Sequence, residues 1–385
     1  MYSGMDQAHA GLYLHIPFCR SKCAYCDFYS CPGFDESLLD RFSAAMQADI
    51  CRAGNEYSDF CFDSIFIGGG TPTVLGARLA DILRTARTRM HTAAGCEVTV
   101  EANPESLTPP LASVLAESGV TRVSIGAQSF HDGQLRLLGR IHTAEAAARA
   151  AETVRAAGIA YLNLDLMFAL PYRPVEQSVQ LGLWESSLDR ALALGADHIS
   201  AYSLKLEPGT PLYRRAAAYA FPDEELEEQM YAVLCDKMRR AGLRHYEISN
   251  FARPGAECRH NLKYWTGKPY LGLGPAAHSY LRGRRTAAAA DTDAYIAAGT
   301  VFVECAEIGA AEQAYEHIVT GIRLRQGIAF DRLRAYYDIK QLNAMASELE
   351  SNGLAERTPR GLALTERGFR VSNAVIALLD GARRG

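Results

Sequence analysis

The chain has 385 residues, 48% of them hydrophobic and 22% charged, with a net charge of −4. That length suggests two domains, or one large α/β domain with an appendix, and the apolar fraction is ample for a buried core. The charge gives no general attraction to nucleic acid or to an anionic membrane. No run of about 18 apolar residues marks a membrane-crossing helix. Ten cysteines are too few and too scattered for a disulfide scaffold. Met1 to Ala10 is polar and lacks a signal-peptide core, so a reducing cytoplasmic setting is expected.

In chain order, short apolar runs alternate with helical periods. Strands are expected at Gly11–Ile16, Ser64–Ile67, Glu97–Glu101, Arg122–Gly126, Ala160–Leu166 and His198–Leu206. Between them, helices are expected at Leu38–Ala53, Arg78–Met90, Pro109–Ser118, Thr143–Ala157 and Val175–Leu194. This alternation builds a parallel sheet with right-handed crossovers. It fits a three-quarter barrel or an open doubly wound sheet, and periodicity alone does not choose. In both, ligands bind at the carboxyl ends of the strands. Polar residues gather there: His15 and a cysteine loop after the first strand, Gly68-Gly69-Gly70-Thr71-Pro72 after the second, then Glu101, Gln128 and Asp165.

Arg282–Thr300 reads as a connector, and beyond it the pattern changes. Helices are expected at Glu312–Arg325, Phe330–Tyr337 and Gln341–Asn352, then a hairpin of Leu354–Arg357 and Leu362–Leu364, then a last helix capped by Thr365. Helices followed by a two-strand wing resemble a winged-helix domain. Residues 312–385 hold 11 Lys/Arg against 9 Asp/Glu, a poor phosphate-binding face, so docking or a structural role is expected rather than DNA binding. The expected division is 1–285 as the α/β unit, 286–311 as connector and 312–385 as the C-terminal domain.

The chemistry is carried by Cys19, Cys23 and Cys26, spaced C-x-x-x-C-x-x-C after the first strand. Three thiolates on one loop can hold three corners of a cubane iron–sulfur cluster. The fourth iron then stays open to a small molecule, as in sites that act on a bound ligand. Cys31 lies five positions on and leaves open a four-cysteine zinc site, although zinc ligands usually come as paired knuckles or with His. The three glycines after the second strand let backbone approach a ligand closely; alone, they are also what a tight turn needs.

The cysteine spacing is the signature of the radical S-adenosylmethionine superfamily, which the chain resembles. The resemblance implies a [4Fe–4S] cluster on Cys19, Cys23 and Cys26, with S-adenosylmethionine chelating the open iron. Glu101-Ala102-Asn103-Pro104, Ser124 to Phe130, Leu138-Gly139-Arg140-Ile141-His142 and Asn163 to Met167 look more narrowly like the oxygen-independent coproporphyrinogen III oxidase family. By that resemblance Tyr13, Tyr25, Gly69, Gly70, Thr71, Glu101, Gln128, Arg140 and Asp165 line the S-adenosylmethionine pocket. It also implies a partial (β/α)6 barrel with a winged-helix-like C-terminal domain.

One departure bears on the subfamily. The oxidases carry a further cysteine two positions after the third, where this chain has Phe28, and an extension ahead of the first strand, which this chain reaches by residue 11. Both features look like the sister family of HemW-type heme chaperones. There His260-Asn261-x-x-Tyr264-Trp265 matches the motif associated with heme. A neutral imidazole is a standard axial ligand, and aromatic rings offer flat surface to a porphyrin. Arg259 and Lys263 are placed to meet propionates, Cys258 is a competing ligand, and a packed core histidine is the plain alternative for His260. The expected function is heme binding and transfer to an acceptor protein that the sequence does not name, a membrane protein among the options, with a homodimer as an option for the chain itself. The alternative is an enzyme that oxidises a porphyrinogen.

Overall fold

The computed structural model describes residues 8–173 and 178–384. Alternation of side chains decides the first half. β1 (Ala8–Ile16), β2 (Phe60–Gly69), β3 (Thr92–Ala102), β4 (Arg122–Gln128), β5 (Tyr161–Phe168) and β6 (His198–Ser203) each carry two different faces. One face is apolar and fully buried, as in Leu12, Leu14 and Ile16 of β1 and Leu162, Leu164 and Leu166 of β5. It packs against the helices α1 (Glu36–Glu56), α2 (Arg78–Arg89), α3 (Pro109–Glu117), α5 (Ala144–Ala156) and α6 (Gln180–Ala193), while the short α4 (Asp132–Leu137) follows β4. Asp35, Thr108 and Thr143 cap three of these helices through their side chains. The expected helix at Val175–Leu194 begins at Gln180; residues 175–177 lie outside the described part.

The six strands are parallel and lie in sequence order, β1-β2-β3-β4-β5-β6. Right-handed crossovers that always step the same way put every helix on one face. The other face must therefore curl inward, which makes a barrel and excludes the doubly wound sheet. The barrel stays open, because β1 pairs next with β9 (Tyr270–Leu273) and β6 with β8 (Asn250–Ala252).

Between β6 and β9 run α7 (Pro211–Arg214), α8 (Glu224–Arg240), β7 (Arg244–Glu247) and α9 (Arg259–Thr266). The stretch expected to be a connector is instead part of the sheet. β10 (His278–Leu281), β11 (Arg284–Ala288) and β12 (Phe302–Glu307) continue it as antiparallel strands, with α10 (Thr292–Ala298) laid on α1. The Ala run that looked like a linker is strand, because Ala287 and Ala288 are buried in that ladder.

The C-terminal unit has its own core of Ile318, Leu333, Tyr337, Leu342, Leu364 and Leu379, all at 0% exposure. It comprises α11 (Ala310–Gly321), β13 (Ile328–Ala329), α12 (Ile339–Ser351), β14 (Ala355–Arg357), β15 (Gly361–Leu364), α13 (Glu366–Arg370) and α14 (Ser372–Asp380). A third strand joins the expected wing, in the order β13-β15-β14. The helix expected at Phe330–Tyr337 is only a 3₁₀ turn over Phe330–Leu333. Tyr337 instead forms a β-bridge with Arg383, the Asp338 amide bonds the Ala382 carbonyl at 2.9 Å, and Asp338 takes the N-cap of α12. Thr365 caps α13 as expected, accepting from the Gly368 amide at 3.1 Å. Ile248 and Arg325 join the unit to the barrel by backbone hydrogen bonds to Arg323 and Tyr246.

Candidate functional site

The inner face of the barrel is polar. Strand register sets its side chains in slanted rows. Thr99 pairs with Arg122; Glu101 pairs with Ser124, Ser124 with Asn163 and Asn163 with His198; Gly126 pairs with Asp165 and Asp165 with Ser200. Barrel interiors are ordinarily filled by branched apolar residues. Here those residues line a cavity of about 440 Å³ that runs from the cysteine loop down the strands. A buried polar lining of this kind costs stability unless it is hydrogen-bonded or holds a ligand.

The cysteine loop closes the carboxyl end. Cys19, Cys23 and Cys26 all line the same cavity. The loop is pinned by the Ala24 amide to the Leu138 carbonyl at 2.9 Å, and by the Leu212 amide to the Ala24 carbonyl at 2.7 Å. Thr71 donates to the Cys19 sulfur at 3.4 Å and Arg140 to the Cys23 sulfur at 3.3 Å. A Cβ on Gly70 would stand 3.0 Å from the Cys19 sulfur and 2.6 Å from the Phe18 carbonyl oxygen. Gly69 has φ +113°, and a Cβ there would strike the His15 ring. Both glycines are thus required by close approach. Cys31 is turned away: its sulfur lies 3.3 Å from the Thr292 hydroxyl on α10 and is no part of the cavity wall.

Three thiols opening on one cavity, two of them already receiving hydrogen bonds, fit a cluster held by three cysteines. Among the described residues no three His, Cys, Asp or Glu side chains meet the spacing of a mononuclear metal site. A cubane places its ligands at separate corners and does not need them to.

Behind the loop, Arg140 is the central strut. Besides the Cys23 sulfur it reaches Asn103 Oδ1 at 2.7 Å and the Gly126 carbonyl at 2.6 Å. Asn103 in turn donates to the Thr71 hydroxyl at 2.9 Å. Opposite stand two carboxyls. Glu101 accepts from the Gly69 amide at 3.1 Å, yet burial, helped by Asp165, pushes its pKa up to about 8. Asp165 is also raised by burial, although Ser200, Asn163 and Ser124 hydrogen bonds oppose the shift. Gln128 sits at φ +64°, a strained setting for a residue other than glycine, on the cavity wall.

Residues 13–181 match the radical SAM superfamily and 309–371 the HemN C-terminal domain. The heme chaperone HemW of Mycobacterium tuberculosis is 36% identical over 380 residues, covering 96% of this chain and 95% of that one. The heme chaperone HemW of Bacillus subtilis is 33% identical, covering 96% and 98%. The chain belongs to the HemW heme chaperone family. The solved coproporphyrinogen III oxidase HemN of Escherichia coli superposes with a TM-score of 0.81 at 17% identity, over 97% of this chain and 90% of that one. At that identity the match shows the fold, a barrel of parallel strands with its extensions. Radical SAM membership implies a [4Fe–4S] cluster and S-adenosylmethionine.

For this HemW-family chain, the cavity brings together most of the residues expected from sequence: Tyr25, Gly69, Gly70, Glu101, Gln128, Arg140 and Asp165, with the three cysteines. Thr71 stands one step behind, on Cys19. Tyr13 does not reach the cavity; its hydroxyl is 3.0 Å from His15 Nδ1, and its ring packs on Phe66 and His260. The cavity wall also holds Asn103, Ser124 and Asn163, which the sequence motifs contain but did not assign to the pocket, and His198 and Ser200, which they do not contain. The signal was present: polar residues recur at every second position of β4, β5 and β6, with apolar ones between.

The motif helix α9 lies away from the cysteine loop. It seals the amino end of the barrel, beside Gly11, Ser64 and Glu97, whereas the cysteines follow Ile16. Five residues of strand, about 17 Å, separate the two ends. His260 is 0% exposed. Its Nδ1 meets the Ser64 hydroxyl at 3.0 Å and its Nε2 the Tyr264 hydroxyl at 2.9 Å. Burial lowers its pKa to about 3, so the ring is neutral. Both nitrogens are engaged, and the ring packs between Phe66 and Tyr264. Cys258, 2% exposed, donates to Glu97, and Lys263 pairs with Asp63 at 2.6 Å. Both are committed inside the protein. Phe28, the residue in place of a further cysteine, is 66% exposed at the cavity mouth.

Proposed function

We propose that the chain is a heme chaperone: it holds a [4Fe–4S] cluster on Cys19, Cys23 and Cys26 and S-adenosylmethionine in the barrel, binds heme, and passes it to an acceptor protein. The observation that carries the reading is 36% identity along nearly the whole chain to a protein named a heme chaperone. A cluster held by three cysteines would leave one iron free of protein ligands and open to the amino and carboxylate groups of S-adenosylmethionine. The chain's own part is to bind and orient. Arg140, fixed by Asn103 and Gly126, presents a positive charge beside Cys23. The Gly69–Thr71 turn brings bare backbone to the cluster side, and the upper barrel offers Glu101 and Asp165 to hydroxyl or ammonium groups.

Heme binding is proposed without His260 as ligand. The acceptor is proposed to be a protein, and the setting a reducing cytoplasm. None of the ten cysteines is joined in a disulfide. Among the described residues no helix is long and apolar enough to cross a membrane.

The test is heme titration of the anaerobically reconstituted full chain, followed by mixing with an apo heme protein. Saturable binding and transfer are expected, together with no conversion of coproporphyrinogen III when S-adenosylmethionine and reductant are supplied. A chain that binds no heme refutes the chaperone reading. Decarboxylated product at the rate of a known oxidase replaces it with the enzyme reading.

A further inference from the structure

At the floor of the barrel, Arg122 and Thr99 sit side by side on β4 and β3. They are 2% and 1% exposed and on the cavity wall. Arg122 uses only Nη2, which donates to Glu97 at 3.3 Å and to the Glu257 carbonyl at 3.2 Å. Its Nε and Nη1, and the Thr99 hydroxyl, are buried with no hydrogen-bond partner among the described residues. A buried guanidinium with two idle nitrogens beside an idle hydroxyl is a costly arrangement for a chain that only needs a floor.

The acid that balances Arg122 is already engaged. Glu97 accepts from Arg122, from the amides of Arg259 and His260, and from the Cys258 thiol. The Tyr161 ring lies under the guanidinium, with Cζ 5.0 Å from its centre. Burial keeps Cys258 protonated, with a pKa pushed up to about 12, and Glu101, at about 8, is mostly uncharged at neutral pH. What Arg122 and Thr99 leave unused on this part of the cavity wall is two guanidinium nitrogens, both donors, and one hydroxyl.

We infer that the floor is a second ligand subsite, taking the carboxylate of a small aliphatic acid between Arg122 and Thr99. Carboxylates satisfy several guanidinium donors at once and accept from a hydroxyl. Two residues, about 7 Å, separate Thr99 from the Glu101 row, so a short-chain acid anchored here extends toward the cysteine end. The subsite does not depend on heme being the cargo.

The probe is sodium propionate, titrated into the full chain at constant ionic strength against sodium chloride. Binding is followed by thermal shift and by saturation-transfer signals of the propionate. The wild type is expected to bind saturably in the millimolar range. Thr99→Val removes a hydroxyl that has no protein partner, so it should fold with an equal or higher midpoint and bind about tenfold more weakly. Arg122→Lys, which keeps the charge but loses the fork, should also bind more weakly. No saturable effect beyond chloride in the wild type, or equal affinity in the wild type and Thr99→Val, overturns the inference and leaves the floor to solvent. The Thr99→Val comparison stands even if Arg122→Lys fails to fold.

Discussion

His260→Ala separates a structural histidine from a heme ligand. The side chain is fully buried, bonded through both nitrogens, and packed on Phe66 and Tyr264 with ring centroids at 5.3 Å from each. Truncating a buried ring leaves a cavity, typically about 3–5 kcal/mol for an aromatic side chain. It also orphans the Ser64 hydroxyl, which is 0% exposed, adding about 1–3 kcal/mol unless water enters. Partial collapse of the site offsets some of this, so a net loss of about 3–5 kcal/mol is expected. Urea unfolding at fixed pH measures it, with the slope checked for cooperativity. The absorption spectrum of bound heme should be unchanged in whatever fraction stays folded. A variant as stable as the wild type, with an altered heme spectrum, would refute the reasoning and return His260 to the iron.

Replacing Cys19, Cys23 or Cys26 with Ala should abolish iron and sulfide after anaerobic reconstitution, while Cys31→Ala keeps both; the reverse pattern sinks the ligand assignment. Arg140→Ala should weaken S-adenosylmethionine binding about tenfold to a hundredfold by calorimetry, the worth of a charged hydrogen bond. An unchanged Kd removes Arg140 from the pocket. Glu101 has a folded pKa of about 8, above its unfolded value, so the folded chain binds the extra proton. Its contribution is full at low pH and is lost as pH rises from about 4.5 to about 8. Stability of the chain without cofactors should therefore fall across that window, and Glu101→Gln should flatten the fall; an identical slope in the variant rejects the shift.

Local pattern alone carried much of this protein. Strand–helix alternation set six parallel strands, and the spacing of Cys19, Cys23 and Cys26 set the cluster loop, because both depend on residues close in the chain. The same alternation also encoded the polar inner face of β4, β5 and β6, a period-two signal as plain as the apolar one beside it. Tertiary structure decided the rest. Cys31 is withdrawn from the cysteine site by Thr292, and the segment that looked like a linker becomes strand because β10 offers it a ladder. The side on which α9 lies follows from β9 pairing with β1, a contact between residues some 260 apart. No short-range period records such a pairing. The histidine of a recognisable motif is therefore found at the sealed end of the barrel, opposite the cysteines, with its two nitrogens held by Ser64 and Tyr264.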